Sequence, residues 1–497
     1  MAEPLGVIAA GHPGSAQAGA AALRAGGNAV DAALGAMLAS FSCEPLLTSL
    51  GAGGYMLVVE PGHRPVLLDF FVEAPGRGPA AGRRAELVPV SVSFGDAIQV
   101  FNIGPASVGT YGMAAGVSEA SARFGRIPLG ELVGPAAKLA RDGVEMNAPQ
   151  AYVIEILAGI VTSTPESAAL FAPGGALVRA GDVVRQPELA DALERLGAEG
   201  PAPFYTGDIA AAIVEWLSAR GGIVTAADLA AYAVVDRDPI KATYRGREVL
   251  TNPPPSAGGI LIAHALALLD AEAGAPDLAR VVATMERTQA ERTPEFLAGL
   301  DDPAFVERFL ARRSPLGSTT HVAVLDHEGW ACSVTSSNGS CSGVVVPGTG
   351  VHLDNMLGEQ DLNPLGFHRH PPGRRMPSMM SPTAVLRDGA PELVLGSAGS
   401  NRIRSAILQT IIRVVDDGLE AGEAVRAPRV HFEDGIVYAE PGLDTGPLER
   451  AGWAIGRFRE LNLFFGGVQA AARDRHGRFS GGGDPRRGGA AVVVQVS

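Results

Sequence analysis

The sequence predicts an α+β fold. Helix-period segments gather in the first half of the chain, a hairpin of two apolar strands spans residues 319–336, and the strict strand–helix alternation of a doubly wound parallel sheet is missing. The 497 residues are 46% hydrophobic and 19% charged, which allows a sizeable core and excludes a disordered chain. The net charge of −13 argues against a general electrostatic grip on nucleic acid or an anionic membrane.

From Ser15 to Phe41 the chain is Ala-rich, with Leu23, Val30, Leu34 and Leu38 spaced for a buried helical face. Gly26-Gly27-Asn28 divides it into two helices. Asp31 and the short length of the apolar run rule it out as a membrane span. Residues 48–59 run from a glycine turn into a strand. Residues 114–143 read as helical, ending at Gly143. Segments 187–197 and 208–220 are amphipathic helices, and Thr225-Ala-Ala-Asp228 is a capping box with Asp in the place of Glu. Residues 270–318 are the most polar stretch, read as weak helices and then an exposed linker. A hairpin follows, from Thr319 to Asp326 and Trp330 to Ser336, turning at His327-Glu-Gly329. Gly489–Val496 reads as a last buried strand.

Several chemistries are excluded by what is absent. Neither Lys138 nor Lys241 follows a glycine, so there is no P-loop, and no G-x-S-x-G elbow precedes a helix. His368 and His370 form an H-x-H pair without a third ligand at metal spacing and are read as a solvated loop. Cys43, Cys332 and Cys341 do not make a disulfide framework; free thiols are expected, with a Cys332–Cys341 bridge as the alternative. The N-terminus lacks the basic region of a signal peptide, so the cytoplasm is the expected location.

Thr319 stands at the start of a strand, directly after a polar linker. Cleavage of the Ser318–Thr319 bond would leave Thr319 with a free α-amine beside its own hydroxyl. Such an amine, with an ordinary pKa near 8, activates the hydroxyl without a histidine. The chemistry needs no metal and no cofactor.

An ordered series of motifs over nearly the whole chain resembles the γ-glutamyltranspeptidase family of N-terminal-nucleophile hydrolases. It includes Gly26-Gly-Asn-Ala-Val-Asp, Glu44-Pro45, Gly51-Ala-Gly-Gly-Tyr-Met56, Asp228-Leu-Ala-Ala-Tyr232 and Pro253-Pro-Pro-Ser-x-Gly-Gly259. Thr319-Thr-His-Val-Ala-Val-Leu-Asp, Pro377-Ser-Met-Met-Ser-Pro382, Gly396-Ser-Ala-Gly-Ser400 and Asp484-Pro-Arg-Arg-Gly-Gly489 continue the order. The resemblance implies a four-layer αββα sandwich and a precursor that cleaves itself between Ser318 and Thr319. The segments 1–318 and 319–497 would stay together as one domain. Thr319 would be the nucleophile and Ser337 a supporting hydroxyl. The backbone N–H groups of Gly399 and Ser400 would form an oxyanion hole, with Ser400 replacing a family glycine. Asn338 and Ser378 would contact the donor, and Glu359 or Asp361 would hold its α-amine.

Two positions depart from the family pattern. Phe71, in Asp69-Phe70-Phe71-Val72-Glu73, replaces an arginine that clamps the α-carboxylate of γ-glutamyl donors, and Met379 replaces the second of two serines. Arg374, Arg375 or Arg402 could reach the same carboxylate, and restoring arginine at position 71 is expected to raise γ-glutamyl turnover. The partners expected are a small-molecule acyl donor and a water or amine acceptor, besides the two fragments holding each other. Three readings stand at this level: a γ-glutamyl hydrolase or transferase, an acylase-type or biosynthetic relative with a changed acyl group, and a non-catalytic scaffold.

Overall fold

The computed structural model describes residues 4–78, 86–93, 98–290, 320–363 and 366–496. Ser318, Thr319 and residues 291–317 of the polar linker lie outside them.

Two antiparallel sheets organise the chain. Thirteen strands build them: β1 (Pro4–Ala10), β2 (Gly53–Val59), β3 (Val66–Phe70), β4 (Val235–Arg237), β5 (Ile240–Tyr244), β6 (Arg247–Thr251), β7 (Thr320–Asp326), β8 (Ala331–Ser337), β9 (Thr383–Arg387), β10 (Ala390–Ala398), β11 (Gly467–Arg473), β12 (Phe479–Gly483) and β13 (Ala490–Gln495). The first sheet runs β13-β1-β7-β8-β2-β3-β4, the second β12-β11-β10-β9-β6-β5. Each contains strands from both sides of position 318.

Period-two alternation sorts the side chains. In β7, Val322 and Val324 enter one core with helices α1 (Pro13–Arg24), α2 (Ala29–Cys43), α3 (Met113–Phe124) and α4 (Leu129–Asp142). Ala323 and Leu325 enter another core, shared with Val394 of β10 and Ala471 of β11. Leu393, Leu395, Val468 and Ala470 join a third, with α5 (Gly258–Asp270), α6 (Leu278–Ala290) and α7 (Arg402–Val415).

The Gly26-Gly27 break is where the sequence puts it. Gly26 adopts φ +90°, and Asn28 caps α2 by accepting from Val30 N and Asp31 N. Asp31 closes the capping box on Asn28 N at 2.9 Å and also accepts from Arg126 N and Ile127 N, so a carboxylate inside an apolar run ties α2 to the α3–α4 turn. All residues of α2 are buried. Residues 114–143 are two helices rather than one. Gly125 and Pro128 end the first and open the second, while Gly143 closes the second at φ +99°. The Thr225–Asp228 capping box is present.

Two expectations are corrected. Strand β13 is not buried: it is an edge strand, paired only with β1, and Val493 is 38% exposed. The 368–370 loop is not solvated throughout. His370 is buried, and His368 Nε2 and His370 Nε2 each lie at hydrogen-bond distance from a backbone carbonyl, of Ala106 and Leu362. All three cysteines are free and buried. Among the described residues no helix is long and apolar enough to cross a membrane.

Candidate active site

Thr320, the covalent neighbour of Thr319, opens β7 opposite Ser336 of β8. Its hydroxyl donates to Glu44 Oε2 at 2.8 Å, and both groups are buried. Glu44 sits at the C-cap of α2. Burial pushes its carboxyl up to about 7, against the lowering effects of the Thr320 hydrogen bond and the Arg487 charge. The neighbouring His321 lies within 2.8 Å of Thr335 Oγ1, and burial holds its imidazole neutral, with a pKa near 3.

Ser337 ends β8 and pairs with Gly53 of β2. Its hydroxyl accepts from Gly339 N at 2.8 Å. Asn338 follows, its Oδ1 accepting from the Ser49 hydroxyl at 2.9 Å while the buried Nδ2 has no partner among the described residues. Glu359 reaches the same turn, its Oε1 accepting from Ser340 N at 2.8 Å. Only glycine fits between them: at Gly339, φ is +67° and a Cβ would stand 2.2 Å from Asn355 Oδ1 and 3.0 Å from Glu359 Oε1. The turn thus gathers Ser337, Asn338 and Glu359. Asp361 lies in the short 3-10 turn Gln360–Leu362, and its side chain is outside the described residues.

Gly399 and Ser400 join β10 to the N-terminus of α7, an end that favours developing negative charge. Both have positive φ, +117° and +57°. A Cβ on Gly399 would meet Gly466 Cα at 2.7 Å and Arg487 Nη2 at 3.4 Å. Arg487 therefore stands beside this turn while acting electrostatically on Glu44.

The other expected donor contacts are held elsewhere. Ser378 is buried against Ser256, and its hydroxyl accepts from Met380 N at 3.0 Å. Met379 is fully buried in the core between the second sheet and its helices, and its backbone carbonyl packs against Gly258 at the start of α5. Phe71 is 1% exposed and belongs to the core between the sheets, with Met356, Met376 and Met380. Each of these two side chains fills a core.

Arg375 does not replace the missing arginine. Its guanidinium lies 3.2 Å from Asp69 Oδ1 and 2.9 Å from Glu73 Oε1, and 4.5 Å over the Tyr232 ring. Arg402 lies over Phe464 and faces Glu433 at 3.9 Å.

Sequence reasoning missed the roles of Glu44 and Arg487, which appear there only inside motifs. The available signal was a carboxylate closing the C-terminal end of a helix whose last three turns are free of charge. It also missed Asp354, fully buried, whose carboxyl burial pushes up to about 7. Chemically, the arrangement offers hydroxyls, a backbone turn at a helix N-terminus and a buried carboxyl. Among the described residues no group of three or more His, Cys, Asp or Glu is arranged to hold a metal.

Known proteins similar to this chain fall into one group. The chain is 30% identical to the Acylase ACY 1 proenzyme of Pseudomonas sp. (strain SE83), over 98% of this chain and 93% of that protein. It is 31% identical to the Glutathione hydrolase proenzyme of Escherichia coli (strain K12), over 97% and 90%. Among solved structures, cephalosporin acylase from Bacillus halodurans superposes with a TM-score of 0.83 at 26% identity, covering 99% of this chain and 96% of that one. Residues 15–494 match the Gamma-glutamyltranspeptidase family. The chain belongs to the gamma-glutamyltranspeptidase family.

Proposed function

We propose that this chain is an N-terminal-nucleophile hydrolase or acyltransferase, made as a precursor that cleaves itself before Thr319 and works through an acyl-enzyme on that residue. The observation that carries this reading is Thr320: it is bonded to Thr319, it opens a strand inside the first sheet, and its register partner Ser336 adjoins the Ser337 turn. The proenzyme names of the relatives support the self-cleavage.

In processing, the Thr319 hydroxyl attacks the Ser318 carbonyl, the Ser318–Thr319 C–N bond breaks as the hydroxyl proton passes to the departing α-amine, and water hydrolyses the resulting ester to a Ser318 carboxylate and a free Thr319 hydroxyl. In turnover the freed α-amine takes the hydroxyl proton as oxygen attacks the donor carbonyl. The Gly399–Ser400 backbone stabilises the oxyanion. The C–N bond then breaks, the proton goes to the leaving amine, and water or an amine acceptor resolves the acyl-enzyme. Segments 1–318 and 319–497 stay together as one four-layer αββα domain because both sheets interleave strands from each.

The acyl group is γ-glutamyl or related. The fully buried Phe71 and Met379, with Arg375 held by Asp69 and Glu73, favour the second reading, a relative with a changed acyl group.

Denaturing electrophoresis should replace the 51.0 kDa chain by two bands near two-thirds and one-third of that mass. Thr319→Ala should leave one band, and N-terminal sequencing of the smaller fragment should begin at Thr319. Any other start overturns the nucleophile assignment. A panel of γ-glutamyl, glutaryl and other acyl anilides identifies the donor.

A further inference from the structure

Glu44 is a buried acid with partners on three segments distant in sequence. Thr320 of β7 donates to its Oε2 at 2.8 Å. Arg487, from the loop before β13, acts on it by charge. Gly11, after β1, packs so closely that a Cβ there would stand 2.2 Å from Oε2. Among the described residues, Cys43 on its own helix interacts with Glu44 by charge, and Cys43 Sγ and His12 Nδ1 both lie beside Gly14. Burial keeps the Cys43 thiol protonated and the His12 imidazole neutral near pH 7, so neither competes for the proton of Glu44. Arg487 in turn lies against the Gly399 turn.

We propose that Glu44 is a positioning residue for the Thr319 chemistry: as a carboxylate it holds Thr320 at the head of β7 and Arg487 beside the Gly399 turn in one arrangement, which is lost when the carboxyl takes up a proton. The inference rests on the Thr319 reading. Its physical basis is one buried carboxylate that accepts from the Thr320 hydroxyl and acts by charge on Arg487. An ionised Glu44 accepts from Thr320 and balances Arg487. A protonated one offers Thr320 only a weaker carbonyl acceptor and withdraws its share, beside that of Asp484, in balancing the buried Arg487. Burial places this exchange close to neutral pH.

Processing isolates the effect, because the α-amine of Thr319 does not exist until the 318–319 bond is cut. Newly synthesised, pulse-labelled full-length chain is diluted into buffers from about pH 5.5 to about pH 8.5, and the two bands are followed in time; a single controlling carboxyl makes the wild-type rate fall about tenfold per pH unit below its midpoint. In Glu44→Gln that acid limb should disappear, whereas Glu44→Asp should keep one. Thr320→Val, which removes the hydrogen bond that favours the carboxylate, should move the midpoint upward, and it serves if Glu44→Gln fails to fold. A wild type that does not process overturns the Thr319 reading and this one with it. A processing wild type whose acid limb survives unchanged in folded Glu44→Gln, or is unmoved in Thr320→Val, overturns this inference alone.

Discussion

Phe71 stacks on Tyr55, with ring centroids 5.4 Å apart and planes inclined by 26°. The pair sits in the core between the sheets, and the backbone of Phe71 is pinned at both ends. Its N–H donates to Asp69 at 2.9 Å, and its carbonyl accepts from the Tyr232 hydroxyl at 2.8 Å. Position 71 is therefore a packing position before it is a recognition position.

This reverses the sequence-based expectation for Phe71→Arg. The new guanidinium would enter an apolar core whose nearby carboxylates, Asp69 and Glu73, already hold Arg237 and Arg375. An unpaired buried charge of this kind costs roughly 3–5 kcal/mol. Chemical denaturation should show that loss, and γ-glutamyl anilide turnover should not rise. A variant of native stability with improved kcat/KM would show that the ring lines an open acyl pocket.

Gly399→Ala and Ser400→Gly should behave oppositely. At Gly399 a methyl group would stand 2.7 Å from the Gly466 backbone, at φ +117°. Distorting this turn should cost two or more orders of magnitude in kcat, roughly what losing an oxyanion donor costs. Ser400 already occupies φ +57°, so glycine relieves strain there and keeps the N–H. Thermal melts and kcat of fully processed protein test both, and equal loss in the two variants would remove the turn from the mechanism.

Arg429 is fully buried against Asp484, Nη1 to Oδ2 at 2.7 Å, and Arg486 joins Asp484 to Glu440. Arg429→Met leaves Asp484 half-compensated in a dry interior, at a cost of about 3–5 kcal/mol. The double variant Arg429→Met/Asp484→Asn should lose less than the two single losses combined. Strict additivity in urea unfolding would mean that the pair is not coupled.

Asp354 makes stability depend on pH. Its Oδ1 accepts from Met356 N and Gly109 N, Oδ2 has no partner among the described residues, and burial raises the carboxyl from 3.8 to about 7. The unfolded chain releases this proton near 3.8 and the folded chain near 7. Stability from this group is therefore greatest below the lower value, declines as pH rises between the two, and is constant above. The interval corresponds to at most roughly 4 kcal/mol. Asp354→Asn lacks the decline, so its melting temperature relative to wild type should be higher at pH 8 than at pH 5. A gap independent of pH would refute the raised carboxyl.

The local chemistry of the chain is legible from its letters alone. The Gly26–Asn28 break, the Gly143 stop, the Thr225–Asp228 box and the hairpin turning at Gly329 depend on neighbours within a few residues, where φ preference, capping and apolar period act directly. What only the tertiary structure decided are contacts between distant segments. Thr320 meets Glu44 across 276 positions, and Arg375 meets Glu73 across 302. The burial that shifts Glu44 and Asp354 comes from sheets and helices closing over them. Whether Phe71 recognises a substrate or fills a core depends on what faces it, and Tyr55 and the methionines reach it only when the strands pair and the sheets stack. Spacing along the chain does not encode desolvation; packing creates it.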